Sequence, residues 1–123
     1  LTLTERNKLI IDAYNANPTS LQAAILNFAH MEAPHKTLII GDMLELGSQS
    51  AEEHQKVVDL VNESGFTDVF LLGPNFNATR NKFSNFADVD LLKEYLQKNP
   101  LLNHFILIKG SHGIHLEKVI SEL

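Results

Sequence analysis

Two glycines bound the turn Gly41-Asp42-Met43-Leu44-Glu45-Leu46-Gly47. The apolar run 37–40 before it predicts a buried strand, and the segment that opens at Ser50 predicts an amphipathic helix. In an open parallel α/β sheet, turns that lead from a strand to a helix lie at the carboxyl ends of the strands, where ligands bind. The turn therefore predicts an α/β fold and indicates which edge of its sheet carries the function.

Strands and helices alternate along the rest of the chain. β-prone runs at 1–3 and 8–11 flank a short polar segment and predict an N-terminal hairpin. Further strands are predicted at 68–72, 83–86 and 104–108, the middle one being a short edge strand. This order predicts a single domain over the whole chain, residues 1–123, with a Rossmann-like three-layer α/β sandwich. Its sheet is expected to be mainly parallel, with about six strands and helices on both faces.

Capping residues and apolar spacing place the helices. Asn17 or Thr19 is expected to cap the first helix and Asp88 the third. Ser50 and Glu53 have the spacing of a capping box at the start of the second helix. The apolar faces of the first and last helices are expected to be Leu21, Ala24, Ile25, Phe28 and Met31, and Leu116, Val119, Ile120 and Leu123.

Composition restricts the classes of partner. The formal net charge is −5, which argues against nucleic acid because such a partner needs a basic face. The chain has no cysteine, which excludes disulfide and thiolate chemistry and fits the cytoplasm. No apolar run has the length of a membrane span, and no signal peptide is evident. We expect a cytoplasmic monomer without a membrane partner, excised from a longer protein because the chain opens on Leu1 instead of methionine.

The turns that leave strands differ in chemistry from the turns that enter them. The entering turns consist of ordinary connector residues, whereas the leaving turns carry polar side chains and glycines. The notable residues of the leaving turns are Asp12, Tyr14, Asn15 and Asn17; Gly41, Asp42, Glu45 and Gly47; Gly73, Pro74 and Asn75; and Lys109, Gly110, Ser111 and His112. We expect these four turns to meet at one edge of the sheet and to form one site.

Several of these residues have more than one candidate role. Asp12 could accept hydrogen bonds from two ribose hydroxyls or cap its own turn. Asp42 could bind a metal, orient a lysine or accept from the backbone amides of its own turn, and Glu45 could face water or substrate. Lys109 could bind a phosphate or a carboxylate, or remain solvated. The sequence 110–113 before a helix resembles an anion nest.

Other catalytic patterns are absent from the sequence. The six histidines show no HExxH or other metal spacing, and no third ligand accompanies His112 and His115. No metal site is predicted, and His54 is expected to be a local hydrogen-bond partner. The sequence contains no GxxxxGK[ST] motif, so a second domain would have to hold the triphosphate of any bound ATP.

Three motifs are similar to those of one family. Asp12-Ala13-Tyr14-Asn15-Ala16-Asn17-Pro18 resembles the DxYNANP signature of the Mur ligases, with Ala13 where many members have Ser. The turn Gly41–Gly47 resembles their GDMxELG motif, and Ile108-Lys109-Gly110-Ser111 resembles their VKGS motif. Order and spacing agree over essentially the whole chain. The similarity is to the third, C-terminal domain of the Mur ligases that add D-alanyl-D-alanine.

The resemblance implies an ATP-dependent, amide-forming ligase of peptidoglycan biosynthesis with three domains. The first domain would bind the UDP-sugar, and the central one would hold the triphosphate and Mg²⁺. ATP would phosphorylate UDP-MurNAc-tripeptide, and the amine of D-Ala-D-Ala would attack the resulting acyl phosphate. The last domain would close over the site and exclude water. This chain alone is expected to be inactive, because the phosphate-binding machinery lies in the other domains.

By position, the resemblance gives each leaving turn a role. The nucleotide-binding candidates are Asp12, on the ribose hydroxyls of ATP, with Tyr14, Asn15 and Asn17. The catalytic candidates, in the turn that would face the reacting centre, are Asp42 and Glu45. The substrate-binding candidates, for the incoming D-Ala-D-Ala, are Pro74, Asn75, Lys109, Gly110 and Ser111.

Two other classes of protein are compatible with parts of the pattern. In a signalling receiver domain, Asp42 would be the phosphoacceptor and Lys109 the lysine that ends the last strand. A receiver needs a paired acidic cluster after its first strand, and here Asp12 is followed by Ala13 and Tyr14. A non-catalytic interaction module would need a large exposed apolar patch, which the regular burial pattern does not favour.

Overall fold

A computed structural model describes residues 1–12 and 16–123. Its strands are β1 Thr2–Leu3, β2 Lys8–Asp12, β3 Lys36–Gly41, β4 Asp68–Leu72, β5 Ser84–Phe86 and β6 Phe105–Lys109. They form one sheet in the spatial order β1-β2-β6-β3-β4-β5. β1 runs antiparallel to β2, and every other neighbouring pair is parallel. The predicted hairpin and the mainly parallel six-stranded sheet are therefore confirmed.

Helices cover both faces of the sheet. The α-helices are α1 Pro18–His30, α2 Ser50–Glu63, α3 Pro74–Asn77 and α4 Val89–Lys98. Shorter 3-10 segments cover Gly47–Gln49, His112–Ile114 and Leu116–Glu122. No helix in the described part of the chain is long and apolar enough to cross a membrane.

Two hydrophobic clusters separate the layers. Along β3, Leu38 and Ile40 face the cluster under α1 and α2, while Ile39 faces the cluster under α4 and the last 3-10 segment. Successive strand residues point to opposite faces, so an unbroken apolar run marks a strand that is buried on both sides. The fold is the expected Rossmann-like three-layer α/β sandwich. With both faces of its central strands covered, polar chemistry concentrates in the turns at the strand ends.

Asn17 and Asp88 cap their helices as predicted. The Asn17 side chain accepts from the Ser20 N–H at 2.9 Å, and the Asp88 side chain accepts from the Leu91 N–H at 3.0 Å. The predicted capping box of Ser50 and Glu53 is wrong. A 3-10 turn precedes α2, its N-cap residue is Gln49, and the Ser50 hydroxyl lies 3.2 Å from His54 Nδ1 instead.

Three further predictions differ from the structure. Met31 is predicted on the apolar face of α1, but it caps the helix C-terminus and is exposed. The last helix is a 3-10 segment, and His115, with φ of 59°, turns the chain immediately before it. Leu116, Val119 and Leu123 are nevertheless buried as expected. Pro74 and Asn75, predicted only as part of the turn that leaves a strand, belong to the short helix α3.

Lys36 joins the start of β3 to the end of α1. Its ammonium donates to three carbonyls at the helix C-terminus, those of Phe28, Ala29 and Met31, at 3.0, 2.9 and 2.8 Å. It also lies 5.4 Å from the ring centroid of Phe66. A cation at this end of a helix satisfies carbonyls that have no partner within the helix.

Lys36→Met is expected to lower the free energy of unfolding by about 2 kcal/mol, because three charge-assisted hydrogen bonds are lost. Urea denaturation of the chain followed by circular dichroism measures the change. Lys98→Met is the matched control: Lys98 is exposed and pairs with Glu94 at 3.3 Å, so a change of less than about 1 kcal/mol is expected. Equal losses in the two variants would contradict the role assigned to Lys36.

Candidate functional site

Backbone hydrogen bonds extend the sheet beyond the strands and join Asp12, at the end of β2, to the turns that leave β3, β4 and β6. The carboxyl-end rim, as we name this edge, comprises residues 12, 41–47, 73–76 and 109–111. The bonds run from Gly110 N to Asp12 O at 3.3 Å, from Ser111 N to Asp42 O at 3.4 Å, from Asp42 N to Leu72 O at 2.9 Å and from Gly73 N to Phe86 O at 2.9 Å. The predicted convergence of Asp12, Asp42, Asn75 and Lys109 on one edge of the sheet is therefore confirmed.

Asp42 lies at the centre of this rim and is almost fully buried, with 1% of its surface exposed. Its Oδ2 accepts from the Asn75 N–H and its Oδ1 from the Phe76 N–H, each at 2.9 Å. The carboxylate thus satisfies two amides of the first turn of α3, where a negative charge is also favoured. Asp42 therefore bonds backbone amides, but the prediction that they belong to its own turn is wrong, because both lie in the turn after β4.

Gly73 makes this contact possible. Its φ is 108°, a conformation that is essentially restricted to glycine, and it precedes Pro74 at the start of α3. A β-carbon on Gly73 would lie 2.5 Å from Asp42 Oδ2 and 2.7 Å from Oδ1. Any side chain here would therefore push the carboxylate away from the two amides.

Gly73→Ala is expected to lower the free energy of unfolding by at least about 3 kcal/mol, through backbone strain and the clash with Asp42. Gly65→Ala is the matched control, because Gly65 has φ of 83° but a β-carbon there would meet nothing within 4 Å. Backbone strain alone should lower the free energy of unfolding of Gly65→Ala by about 1–2 kcal/mol. Urea denaturation of both variants, of Asp42→Ala and of Asp42→Ala/Gly73→Ala measures these changes. Additive losses in the double variant would show that the clash does not exist.

His54 fixes the other side of the central turn. Its Nε2 accepts from the Met43 N–H at 3.0 Å, and its Nδ1 lies 2.7 Å from the Ser50 carbonyl, to which it must donate. These partners define a neutral imidazole with its proton on Nδ1. The 3.9 Å separation between Nε2 and Asp42 Oδ1 is therefore not an ion pair. His54 is a local hydrogen-bond partner, as predicted, but no local pattern indicates that its partner is the Gly41–Gly47 turn.

The turn after β6 packs closely against the turn after β3. The Ser111 hydroxyl accepts from the Leu44 N–H at 3.2 Å. A β-carbon on Gly110 would lie 2.6 Å from a Leu116 methyl and 3.2 Å from the Gly41 Cα. The amides of Gly110 and Ser111 already donate to carbonyls. The predicted anion nest at 110–113 is therefore not supported, because two of its amides have internal partners.

Lys109 and Asp12 form an ion pair at the end of adjacent strands. The ammonium contacts Asp12 Oδ2, and the two residues are in register as the last pair of β6 and β2. The Lys109 side chain is 3% exposed, whereas that of Asp12 is 51% exposed. Lys109 is therefore not a solvated lysine, and Asp12 presents a carboxylate to the outside of the rim.

Glu45 and Leu44 form the exposed tip of the central turn. Leu44 is 41% exposed, and Glu45 has φ of 65°. A non-glycine residue in the left-handed region carries a conformational cost that the surrounding contacts must offset. Pro74 is exposed and Asn75 is half-buried. Thus Asp12 and Glu45 present accessible carboxylates at the rim, whereas Asp42 does not.

The nucleotide-binding candidates are only partly described. Asn17 is exposed, and its side-chain oxygen is engaged as the cap of α1. Tyr14 and Asn15 lie outside the described residues.

Within the described ranges, no three His, Asp or Glu side chains come together as metal ligands. His115 instead contacts Glu117 at 3.4 Å, and the pKa of Glu117 is lowered, first by its own backbone N–H and then by His115.

The structure contains cavities away from this rim. One of about 460 Å³ lies at the opposite edge of the sheet, between the N-terminal hairpin, residues 32–34 and residues 103–105. None of the residues that line this cavity belongs to the three motifs. This cavity is therefore separate from the carboxyl-end rim.

The strand order distinguishes this fold from a receiver domain. Counting only the parallel strands along the chain, the spatial order is first, last, second, third and fourth. Receiver domains instead have the order 2-1-3-4-5, in which the last strand lies at an edge of the sheet. Asp42 is also too buried for a phosphoacceptor in this structure. The receiver interpretation is therefore not supported.

Together, the sheet, its two helical layers and the rim define a Rossmann-like α/β domain, a class in which this edge binds ligands. The family model described as "Mur ligase, glutamate ligase domain" matches residues 1–112. The chain belongs to the Mur ligase family, which confirms the resemblance that its three motifs indicated.

Relatives of this chain are much longer than it is. UDP-N-acetylmuramoyl-tripeptide–D-alanyl-D-alanine ligase from Rickettsia prowazekii is 35% identical over 94% of the chain, and its counterpart from Treponema pallidum is 36% identical over 89%. The matched parts are 27% and 26% of those proteins. The chain thus spans about a quarter of the length of these relatives.

Solved structures share the fold. The MurF ligase of Thermotoga maritima, solved in complex with ADP, superposes with a TM-score of 0.81 over 98% of this chain and 29% of its own, at 22% identity. MurF from Acinetobacter baumannii superposes with a TM-score of 0.71 over 94% of this chain and 27% of its own, at 28% identity.

Proposed function

We propose that this chain is the C-terminal domain of a longer ATP-dependent ligase. The ligase joins D-Ala-D-Ala to UDP-MurNAc-tripeptide in the synthesis of peptidoglycan precursors. The names of the relatives and the three motifs support this assignment. We also infer a cytoplasmic monomer without a nucleic-acid or membrane partner, in keeping with the net charge of −5.

One observation carries the proposal: Asp12, which opens the first motif, and the turns that carry the other two motifs converge on a single rim. Asp12 and Lys109 are paired there, and Asp42 bonds the Asn75 amide. Internal hydrogen bonds hold these turns in place, so the rim is organised before any ligand arrives. A rigid, open wall is what a domain needs if it completes an active site by closing against a neighbour.

For the nucleotide, we assign Asp12 to the ribose hydroxyls of ATP. Its carboxylate is an acceptor with two oxygens, it is half exposed, and one oxygen is already oriented by Lys109. Tyr14, Asn15 and Asn17 are proposed to border the same nucleotide. The complex of the Thermotoga maritima ligase with ADP is consistent with nucleotide use in proteins of this fold.

For the second substrate, we assign the remaining rim turns. Glu45, at the exposed tip of its turn, is the carboxylate of the 41–47 segment that can approach the reacting centre or the amine of D-Ala-D-Ala. Asp42 acts on the substrate side only through the backbone it fixes, including Asn75. Pro74, Asn75, Gly110 and Ser111 are proposed to line the D-Ala-D-Ala site.

This chain's contribution to the reaction is positioning and exclusion of water. The described residues provide no cluster that fits Mg²⁺, so we assign the metal and the triphosphate to another domain and assign no metal-dependent step to these side chains. Closure of the rim would hold the amine against the acyl phosphate and keep water away from it. Such closure suppresses hydrolysis, which would otherwise consume the activated intermediate.

Asp12→Ala in the full-length protein is expected to raise the KM for ATP about 10- to 100-fold, because hydrogen bonds to a charged group are lost. Steady-state kinetics with UDP-MurNAc-tripeptide and D-Ala-D-Ala measures this. Asp68→Ala is the matched control, since Asp68 is exposed at the opposite end of a strand. A KM for ATP that stays unchanged in Asp12→Ala would remove Asp12 from the nucleotide site.

The 123-residue chain alone is expected to release no phosphate above the blank when it is mixed with ATP, UDP-MurNAc-tripeptide and D-Ala-D-Ala. The physical reason is that it contains no triphosphate-binding loop. A colorimetric phosphate assay with the full-length protein as the positive control measures this. Robust phosphate release by the isolated chain would refute the proposal that another domain holds the triphosphate of ATP.

A further inference from the structure

Lys109 is nearly inaccessible to solvent, although the resemblance of its motif to VKGS implies that it binds D-Ala-D-Ala. Its side chain is 3% exposed, and its ammonium contacts Asp12 Oδ2. A ligand carboxylate would have to reach this ammonium past the strand ends and compete with Asp12. A buried ammonium also requires an opposite charge close by, so withdrawing it from Asp12 would be costly.

The sheet imposes this arrangement. β6 lies between β2 and β3, and Lys109 is in register with Asp12 on one side and Ile40 on the other. Lys109 lies two residues after Leu107, and Asp12 two residues after Ile10, so both project toward the layer that contains α1 and α2. The pair is therefore a consequence of strand register and does not depend on a flexible loop.

We infer that Lys109 is a positioning residue for the nucleotide and acts through Asp12. The ammonium holds Oδ2, which restrains the rotation of the carboxylate, while the Asp12 side chain as a whole remains half exposed. Two adjacent ribose hydroxyls need an acceptor held in one orientation. The inference rests on the proposed ribose contact of Asp12. It moves Lys109 from the D-Ala-D-Ala site, where its motif placed it, to the ATP site.

The test compares ATP with 2′-deoxy-ATP in the full-length protein. Lys109→Met replaces the buried ammonium with an apolar chain of similar length and leaves half-exposed Asp12 to water, so the fold should be retained. We expect the KM for ATP to rise about tenfold and the preference for ATP over 2′-deoxy-ATP to fall to that of Asp12→Ala. The KM for D-Ala-D-Ala should not change. Asp12→Ala/Lys109→Met should be no worse than Asp12→Ala.

Lys36→Met is the matched control for a general loss of stability. Lys36 also bonds buried groups, but it lies at the other end of the sheet and should leave the preference for ATP intact. Lys109→Gln, which keeps a neutral donor, is a second variant with the same expected direction. It replaces Lys109→Met in the test if circular dichroism shows that Lys109→Met does not fold.

Different outcomes separate this inference from the proposed function. If Lys109→Met raises the KM for D-Ala-D-Ala and retains the preference for ATP, Lys109 binds the amino-acid substrate and the inference is overturned. Additive effects of Asp12→Ala and Lys109→Met would overturn it as well, because two residues that act as one unit must be non-additive. If the unmodified protein does not distinguish ATP from 2′-deoxy-ATP, the proposed ribose contact itself fails.

Discussion

The carboxylate of Asp42 accepts hydrogen bonds from two successive amides of the neighbouring turn, and the rest of the rim depends on this contact. It joins the end of β3 to the start of α3 across the sheet. Gly73 has no side chain because the carboxylate occupies that space, and His54 holds the following residue, Met43, from the other side. A buried charge with both oxygens satisfied by backbone donors gives a rigid connection between elements that are distant in sequence.

This rigidity divides the polar residues of the rim into two groups. Asp42, His54 and Ser111 use their polar atoms on the protein itself. Asp12 and Glu45 remain accessible beside them. The first group determines where the second group stands. A domain that contributes to catalysis by closing on a partner needs both, because accessible groups on a loose rim would lose the precision that closure is meant to supply.

The sheet and the location of the candidate site, at the carboxyl ends of the strands, are predictable from the sequence because both follow from local patterns. Apolar runs mark the strands, and the glycines and polar residues after them mark the rim. Long-range partners are not predictable in this way: nothing local in Asp42 or His54 indicates that they bond residues 75–76 and 43. The capping box fails because a 3-10 turn rotates Ser50 toward His54. The short helix α3 is not predicted because it has only four residues. The carboxylate that accepts from its first amides, that of Asp42, belongs to another turn.

The position of β6 has a consequence for how the chain folds during synthesis. β2 is synthesised almost 100 residues before its parallel partner β6, which ends at residue 109. Without β6, the hairpin and the β3-β4-β5 group would be two separate half-sheets, each with an unpaired, apolar edge. Such edges favour association with other nascent chains. A product that terminates before Phe105 would therefore lack the central strand and would be a substrate for chaperones or proteases.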